Sequence, residues 1–403
     1  MIKLYRKTYV EINLDNLKSN VENIVNYYNN YDYYFGVVKG NCYGHGTKHV
    51  INELISSGIN YLAVSSLEEA LDVRNINREI PILSLEPIDL EYIDICIDNN
   101  ITITVHDYEY GKKLLNKKSS RLLKVHLKVD SGMNRIGFKN RDELAEIYRK
   151  LKKKKNILVE GVFSHFATLG INDKEWDNQL ENFKYITSLI DLNEIPIRHL
   201  YKSAAFINHE KIDFCNGIRL GIAMYGYYTP LKYSMKGIKN KLRYLKREYY
   251  KKKYNVSATN VDSPIELKPA FKMCSQIIQV KRIKKGEFVG YGASYRARED
   301  EIIGIMAVGY DDGFLRSNNG RYVSINNKKY QLIGDIGMGM TAVLIDDSIK
   351  TGDMVTLMGD NISLKDVANH NKTSIYEIIC SVDKYVPRVY IKKDKVIAID
   401  EGK

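Results

Sequence analysis

The sequence at residues 35–46 is FGVVKGNCYGHG: a short apolar run, a lysine, and then glycines spaced around an asparagine, a tyrosine and a histidine. The apolar run is nearly continuous, as a strand covered on both faces requires. A lysine that follows such a strand is partly shielded from water, and burial disfavours the charged ammonium. The stretch therefore predicts a buried parallel strand that ends in an amine prepared for Schiff-base chemistry.

Seven further apolar runs follow, each bounded by polar or turn residues. They are YLAVSS (61–66), IPILSL (80–85), ITITV (101–105), KVHLKVD (124–130), VEGVFSHF (159–166), IRHLYKS (197–203) and IRLGIAMYG (218–226). Amphipathic helical patterns fill most of the intervals, and Leu14, Leu17, Val21 and Ile24 predict a helix before the first run. Eight β/α units that close on one another form a (β/α)8 barrel, in which chemistry takes place at the C-terminal ends of the strands.

The pattern changes in the second half of the chain. From about Ile265 it consists of short alternating strands with glycine turns, which predict a mostly β second domain. We predict a barrel over residues 12–230, a basic insertion over 231–262, and a β domain over 263–403 to which the N-terminal strand, residues 1–11, is added.

Charge and composition exclude several classes of protein. The 403 residues carry a net charge of +12, but residues 231–254 hold eight lysines and two arginines against one glutamate, a net charge of +9. A solvated insertion is therefore favoured over a nucleic-acid-binding surface. No apolar run is long enough to span a membrane, and the N-terminus lacks a signal-peptide core, which predicts a cytoplasmic protein. Scattered cysteines predict neither disulfides nor a metal site: Cys42, Cys96, Cys215, Cys274 and Cys380.

The motif K-x-N-x-Y-G-H-G at residues 39–46 resembles that of the alanine racemase family, pyridoxal-phosphate enzymes built from a (β/α)8 barrel and a C-terminal β domain. The resemblance continues, motif by motif, through the chain outside residues 231–262. It implies that Lys39 is the lysine covalently linked to the cofactor and that Tyr43 contacts the cofactor phosphate.

Three further barrel residues take roles from the resemblance. Arg135, in KVDSGMNRIGF, would orient the substrate carboxylate, which suits a planar guanidinium. Lys128 stands at the position that family members carry as a carbamate bridging to that arginine. His165, in FSHFA, would pack beside the cofactor ring in a supporting role.

The resemblance also implies cofactor contacts at the last two barrel strands. Ser203, Gly221 and Ile222 fall on the family's phosphate-binding positions. Arg219 falls at the position of the family's arginine that faces the pyridine nitrogen of the cofactor. An always-charged donor there leaves the nitrogen unprotonated and weakens the ring as an electron sink, which favours racemisation over transamination.

The β domain is implied to complete the site. Tyr291, in VGYGASY, matches the family's second acid/base, so that Lys39 and Tyr291 would act on opposite faces of the substrate Cα. Tyr310 resembles a residue of the substrate entrance, Tyr376 a phosphate ligand, and Met338 the residue whose backbone N–H meets the substrate carboxylate. Family members place this tyrosine in the partner subunit's site, which implies a homodimer.

Several positions depart from the family pattern. Asp335 replaces an arginine and Gly339 an aspartate at the substrate entrance, and Lys202 replaces an asparagine before the phosphate-binding serine. Gly40 and Cys42 replace the commoner alanines of the lysine motif. The catalytic groups are kept while the walls near the substrate are altered.

We therefore predict a pyridoxal-phosphate-dependent isomerase that interconverts L-alanine and D-alanine for peptidoglycan synthesis. One alternative, prompted by Asp335 and Gly339, is a serine or broad-specificity racemase of the same fold. A second is a non-catalytic, cofactor-binding regulator that docks through the basic insertion, and a nucleic-acid-binding protein is a third. The sequence leaves the role of residues 231–262, the modification of Lys128 and the strength of the dimer open.

Overall fold

The computed structural model describes residues 4–117, 119, 121–168, 174–209, 211–227 and 265–402, together with positions 238, 241, 242, 245 and 249. The chain divides into two compact units. The barrel unit comprises Lys18–Lys39 and Ile51–Lys268, and the β unit comprises Met1–Leu17, Gly40–Val50 and Pro269–Lys403. Apart from those five positions, the predicted insertion at 231–262 lies outside the described residues.

The strands follow the predicted apolar runs. In chain order the described residues form β1 (Tyr9–Asn13), β2 (Tyr33–Val37), β3 (Tyr61–Val64), β4 (Ile82–Ser84), β5 (Ile101–Val105), β6 (Leu123–Lys128), β7 (Ile157–Phe163), β8 (Ile197–Lys202), β9 (Gly217–Leu220), β10 (Phe271–Ile283), β11 (Phe288–Val289), β12 (Tyr295–Arg296), β13 (Glu301–Met306), β14 (Tyr322–Ile325), β15 (Lys328–Ile333), β16 (Thr341–Ile345), β17 (Met354–Met358), β18 (Arg388–Lys392) and β19 (Lys395–Asp400).

The helices of the described residues alternate with the barrel strands and return only near the C-terminus. They are Leu14–Tyr27, Thr47–Ser56, Leu67–Ile76, Ile93–Asp98, Tyr108–Leu115, Arg141–Lys152, Lys174–Ile186, Ser203–Asn208, Leu364–His370 and Ile375–Cys380. Local chemistry sets their starts: the Asn140 side chain caps Arg141–Lys152 by accepting the Asp142 N–H at 2.8 Å.

Strands β2 to β9 pair in parallel and in sequence order, and β9 pairs with β2 to close an eight-stranded barrel within the described residues. Each of the eight predicted apolar runs overlaps one of these strands. The predicted fold class, a (β/α)8 barrel with a mostly β second domain, is confirmed. Because all eight strands run the same way, their C-terminal ends lie at one end of the barrel.

Aromatic rings fill the barrel interior. The Phe35 ring stacks on Tyr61 with centroids 4.5 Å apart, and on His199 at 4.4 Å. Phe163 stacks on the opposite side of His199 at 4.8 Å. The barrel core is therefore packed with flat side chains and contains an imidazole that is fully buried.

The β unit is a sheet in the order β13-β16-β15-β14-β17-β10-β1-β18-β19, with a further pairing of β13 with β10. Strand β1 pairs antiparallel with β10 and parallel with β18, so the N-terminal strand joins the sheet formed by the C-terminal residues. Residues 40–50, which follow the first barrel strand, are also part of this unit. Across the residues that the structure describes, no helix has the length and apolarity needed to cross a membrane.

Candidate active site

The candidate residues of the barrel unit stand at the C-terminal ends of its strands. Lys39 follows β2 and is half-buried, and Lys128 is the last residue of β6. His165 follows β7, Ser203 directly follows β8, and Gly221 directly follows β9. The closed barrel therefore brings these positions to its C-terminal mouth, where this fold carries its chemistry.

Arg219 is buried in β9, and its guanidinium is held at several points. Nη1 donates to the His199 carbonyl and to His199 Nδ1, both at 2.7 Å. Nη2 donates to the carbonyls of Ser164 at 2.7 Å and Leu200 at 3.0 Å. Burial lowers the pKa of Arg219 to about 9, and Arg135 acts in the same direction. The side chain remains a cation at neutral pH, with its plane fixed by neutral acceptors.

Lys128 is buried among other cations. Its Nζ lies 4.5 Å from the centroid of the Phe163 ring. Burial holds the pKa of Lys128 well below its usual range, Arg219 and Arg135 lower it further, and Asp130 opposes them. The site thus favours a neutral amine, which is the nucleophilic form of lysine.

Arg135 is presented by a tight loop after β6. Asp130 Oδ1 accepts the N–H of Asn134 at 2.9 Å, and Phe138 exchanges backbone hydrogen bonds with Lys128 and Asp130 across the base of the loop. The Arg135 side chain is exposed. A shallow depression lies against this loop, lined by Lys128, Val129, Asp130, Met133, Arg135, Ile136, Ser164 and His165. Its arginine suits an anionic ligand.

His165 borders the same depression and is half-buried. Its Nδ1 lies 3.4 Å from Arg219 Nη2, and Gln179 Nε2 donates to its carbonyl at 3.1 Å. Burial and the charges of Arg219 and Lys128 hold the pKa of His165 far below its usual range. The imidazole is therefore neutral, which suits a supporting residue better than a proton-transfer group.

Two of the residues predicted to bind a phosphate, Ser203 and Gly221, contact each other. Ser203 Oγ accepts the Gly221 N–H at 2.8 Å, which joins the segments after β8 and β9. A serine hydroxyl that accepts one hydrogen bond can still donate another. Ile222 begins a 3-10 turn directly after Gly221. Lys202 precedes the serine, and burial, Arg219 and Arg135 lower its pKa.

The glycine-flanked motif after Lys39 has an unusual backbone. Residues 40–44 all have positive φ, between 51° and 76°, and the Gly44 N–H donates to the Gly40 carbonyl at 2.9 Å. Asn41 Oδ1 fixes this left-handed turn by accepting from the N–H and the hydroxyl of Thr47, both at 2.9 Å. Three consecutive non-glycine residues in this conformation represent stored strain, which is commonest at functional sites.

Packing within the β unit explains the glycines of this motif. A Cβ at Gly44 would lie 2.3 Å from the Ile379 carbonyl oxygen, and one at Gly46 would lie 1.9 Å from the Tyr390 hydroxyl. The Tyr43 ring is buried and lies 5.9 Å from the ring of Tyr376. The structure thus brings together Tyr43 and Tyr376, the two tyrosines for which the family resemblance implies contact with the cofactor phosphate.

Three other candidates share one exposed face of the β unit. The Tyr310 N–H donates to the Gly337 carbonyl at 3.1 Å, next in sequence to Met338. Tyr291 is 77% exposed and its ring faces Gly337, where a Cβ would lie 3.9 Å from Tyr291 Cε2. Met338 is 60% exposed. Tyr291, Tyr310 and Met338 are therefore neighbours, and all three are open to a ligand or a partner.

The substituted entrance positions differ in their surroundings. Asp335 Oδ2 pairs with Arg316 Nη2 at 3.0 Å, and its N–H donates to Ser294 Oγ at 2.8 Å. Gly339 has open space where a Cβ would stand. The aspartate therefore has a local structural role, whereas Gly339 leaves its part of the surface uncovered.

Two buried polar residues of the barrel are not among the residues predicted from the sequence. His126 and His199 are fully buried, and their rings are hydrogen-bonded at 2.9 Å. The available clue was that KVHLKVD and IRHLYKS place a histidine within an otherwise apolar strand. A buried imidazole needs partners, and pattern alone does not identify them.

Comparison with known proteins gives the family. The family model of the alanine racemase N-terminal domain matches residues 12–229, and that of the alanine racemase C-terminal domain matches residues 270–390. The chain belongs to the alanine racemase family. The resemblance drawn from the sequence is thereby confirmed, as is the prediction of a racemase, an isomerase.

Individual relatives match over nearly the whole chain. Alanine racemase 1 of Bacillus subtilis is 32% identical over 400 residues, covering 98% of this chain and 96% of its own length. Alanine racemase 1 of Clostridium acetobutylicum is 34% identical over 412 residues, covering 99% of each. The solved structure of the Clostridium difficile alanine racemase has a TM-score of 0.86 at 32% identity, covering 99% of this chain and 100% of the other.

Proposed function

We propose that this chain interconverts L-alanine and D-alanine with pyridoxal phosphate as its cofactor, and that it supplies D-alanine for peptidoglycan from the cytoplasm. The observation that carries the proposal is Arg219, a buried cation whose plane is fixed by three carbonyls and an imidazole at the barrel mouth. A rigid cationic donor suits a pyridine nitrogen that must stay unprotonated.

The donors of the barrel unit fit this cofactor. Ser203 can donate its hydroxyl to a phosphate while it accepts from Gly221, and Ile222 follows on the same turn. Arg219 would donate to the ring nitrogen, and His165 would lie beside the ring. Tyr43 and Tyr376 would add hydroxyl donors to the phosphate, as the family resemblance implies. When bound, the cofactor withdraws electrons from the Cα–H bond of the amino acid.

Two groups would move the proton. Lys39 Nζ would remove the Cα proton of D-alanine, and the Tyr291 oxygen would remove that of L-alanine. In each direction the other group would supply a proton on the opposite face of Cα. Inversion requires groups on opposite faces of Cα, since a single base would return the proton to the face from which it came. Lys39 is half-buried at the end of β2, and the exposed Tyr291 is free to meet a substrate.

Arg135 and the Met338 N–H would hold the substrate carboxylate. The substrate would pass Tyr310 at the entrance. Lys128 would support Arg135 as a carbamate, because its neutral amine would form an N–C bond to carbon dioxide and release one proton to solvent, which leaves an anion. An anion at this position would offset the positive charges of Arg135 and Arg219, which disfavour an ammonium there.

A homodimer is part of the proposal. Tyr291, Met338, Met340 and Phe288 are large side chains that the β unit leaves exposed. Exposed apolar side chains mark an interface when they form a contiguous patch. We propose that a second copy covers them, so that Tyr291 acts in its partner's site.

The decisive experiment mixes two inactive variants, Lys39→Ala and Tyr291→Phe, after unfolding and refolding them together. If Tyr291 serves the partner, each mixed dimer holds one fully wild-type site and one doubly altered site. Random pairing then restores about one quarter of the wild-type sites, because half of the dimers are mixed. If both residues serve the same protomer, activity stays at the level of the separate variants, and the shared-site proposal is wrong.

Asp335 and Gly339 favour a second candidate, a racemase of broader specificity. The Arg316–Asp335 pair replaces the charge pattern of the family, and the space beside Gly339 is open. Exchange of L- and D-alanine should be measured beside that of L- and D-serine on the purified, cofactor-loaded protein. Faster turnover of alanine supports the first proposal, and faster turnover of serine supports the second.

A further inference from the structure

A line of hydrogen-bonded side chains crosses the barrel interior from Glu160 to Arg219. Glu160 Oε2 lies 3.3 Å from His126 Nε2. His126 Nδ1 lies 2.9 Å from His199 Nε2, and His199 Nδ1 lies 2.7 Å from Arg219 Nη1. The line joins four different strands, β6, β7, β8 and β9, and each of its links is within hydrogen-bonding distance.

The chemistry of the two ends gives the line a single direction. Arginine can only donate, so His199 Nδ1 must accept and His199 Nε2 must carry the proton. His199 Nε2–H donates to His126 Nδ1, which therefore carries no proton. The single ring proton of His126 is on Nε2, facing the Glu160 carboxylate. Burial lowers the pKa of both histidines, which agrees with two neutral rings.

Packing holds both imidazoles in place. Phe35 and Phe163 stack on the two faces of His199 with interplanar angles of 13° and 7°. Gly161 pairs with His126 across strands β6 and β7, and a Cβ there would lie 2.5 Å from the His126 ring. The absence of a side chain at Gly161 therefore makes the space that the His126 ring occupies.

Glu160 is held as a carboxylate at its end of the line. The Tyr61 hydroxyl donates to Oε2 at 2.7 Å, and Lys124 Nζ lies 3.3 Å from Oε1. Burial alone would raise the pKa of Glu160, but the hydrogen bonds from His126 and Tyr61 and the charge of Lys124 outweigh it and lower the pKa. The line thus runs from a negative charge to a positive one.

We propose that Glu160 is a positioning residue for Arg219, acting through His126 and His199 to orient the guanidinium and to provide the negative charge that balances it. The need for this charge follows from the other surroundings of Arg219. Its remaining bonds are to neutral carbonyls, and Arg135 lies close enough to disfavour its charge. Two neutral imidazoles polarised in the same direction pass the influence of the half-buried Glu160 carboxylate along the line.

The inference rests on the proposed cofactor for its consequence in catalysis, since Arg219 would face the ring nitrogen. The line of hydrogen bonds from Glu160 through His126 and His199 to Arg219, here called the relay, does not itself depend on the cofactor. Its test therefore has one part that needs no cofactor and one part that does.

The first part measures the histidine tautomers in the apoenzyme by ¹⁵N NMR of the imidazoles. The relay requires His126 and His199 each to be protonated at Nε2 and unprotonated at Nδ1. In Glu160→Gln, which keeps the shape and removes the charge, we expect both tautomers to stay as they are, because Arg219 still fixes them, and the ¹⁵N shift of His126 Nε2 to change, because its charged acceptor is lost. A His199 protonated at Nδ1, or a His126 Nε2 shift that is unchanged in the variant, would overturn the relay.

The second part compares the loaded enzymes. Glu160→Gln should lower kcat on the order of 10-fold, the lower end of the loss seen when a group that orients a ligand is removed, with a smaller effect on KM. The absorption spectrum of the bound cofactor should also shift, and Glu160→Asp, which keeps the charge, should recover part of both changes. Glu194→Gln is the matched control, because Glu194 is an exposed glutamate that binds Lys152 and Tyr148 outside the relay.

The outcomes separate the two proposals. If Glu160→Gln matches the Glu194→Gln control in kcat, KM and spectrum while both proteins stay folded, Glu160 does not position Arg219. If the wild-type protein binds no cofactor but shows the required tautomers, the proposed function is wrong and the relay stands. Fluorescence of Trp176, the single tryptophan of the chain, verifies folding in each case.

Discussion

Replacement of Gly161 by alanine tests how tightly the barrel interior fixes His126. Gly161 lies in β7 directly opposite His126 in β6. A methyl group at this position would stand 2.5 Å from Cε1 and Nδ1 of the imidazole. The obstacle is a ring held by hydrogen bonds on both sides and is not a flexible side-chain end, so the strain cannot be relieved by a simple rotation.

The geometry gives the size of the effect. Ordinary contact begins at 3.4 Å, so the ring must move by about 0.9 Å, which stretches or breaks its 2.9 Å hydrogen bond to His199. Overpacking of a core costs about 1–3 kcal/mol, and a buried polar group left without its partner costs a similar amount. Because the two effects share one displacement, we expect Gly161→Ala to reduce the free energy of unfolding by roughly 2–4 kcal/mol.

Urea unfolding followed by the fluorescence of Trp176 measures this change in the right part of the molecule. Trp176 is the single tryptophan of the chain and lies buried in a helix of the barrel unit. Gly339→Ala is the matched control, because the same methyl group there enters open space. We expect the control to stay within about 0.5 kcal/mol of the wild type. Equal midpoints for Gly161→Ala and the control would refute the packing argument.

Three further predictions concern charge. In buffer free of carbon dioxide, the pKa of Lys128 is lower in the folded than in the unfolded state, so the unfolded chain binds more protons and stability rises as pH rises toward the unfolded-state pKa of ~10.4. Lys128→Met should flatten this dependence of stability on pH in calorimetric scans. Bicarbonate should raise the activity of the wild type and leave that of Lys128→Met unchanged. The pKa of Glu160 is lowered by folding, so the contribution of Glu160 to the free energy of unfolding is complete above its unfolded-state pKa of ~4.3 and is lost as pH falls below it. Acid unfolding of Glu160→Gln should lack this loss. An acid-unfolding midpoint identical to that of the wild type would contradict the assignment. Asp335→Asn removes one partner of the exposed Arg316 and should change stability by at most about 1 kcal/mol. Asp335→Arg should shift the ratio of kcat/KM for alanine to kcat/KM for serine. An unchanged ratio would show that Asp335 takes no part in substrate selection.

Most of the barrel could be predicted because its signals are local. A strand buried on both faces must be apolar along its length, so FGVVKG, ITITV and the other runs were recognisable without knowledge of their neighbours. The β unit was predictable only as a class, since alternating strands with glycine turns do not state which strand pairs with which. The pairing of β1 with both β10 and β18 shows this, because its partners lie more than half the chain away.

The sequence by itself determined the eight strands, the order of the two folds, and the lysine, serine and arginine that stand at the ends of particular strands. Local periodicity and motif spacing are properties of neighbouring residues, so they survive in the linear chain. Only the tertiary structure decided which polar groups meet inside the barrel. His126 and His199 are 73 residues apart, and their contact depends on the relative register of strands around the closed barrel. The pattern of a strand tells which side chains are buried, whereas the barrel's closure determines their partners, and with them the charge and orientation of Arg219.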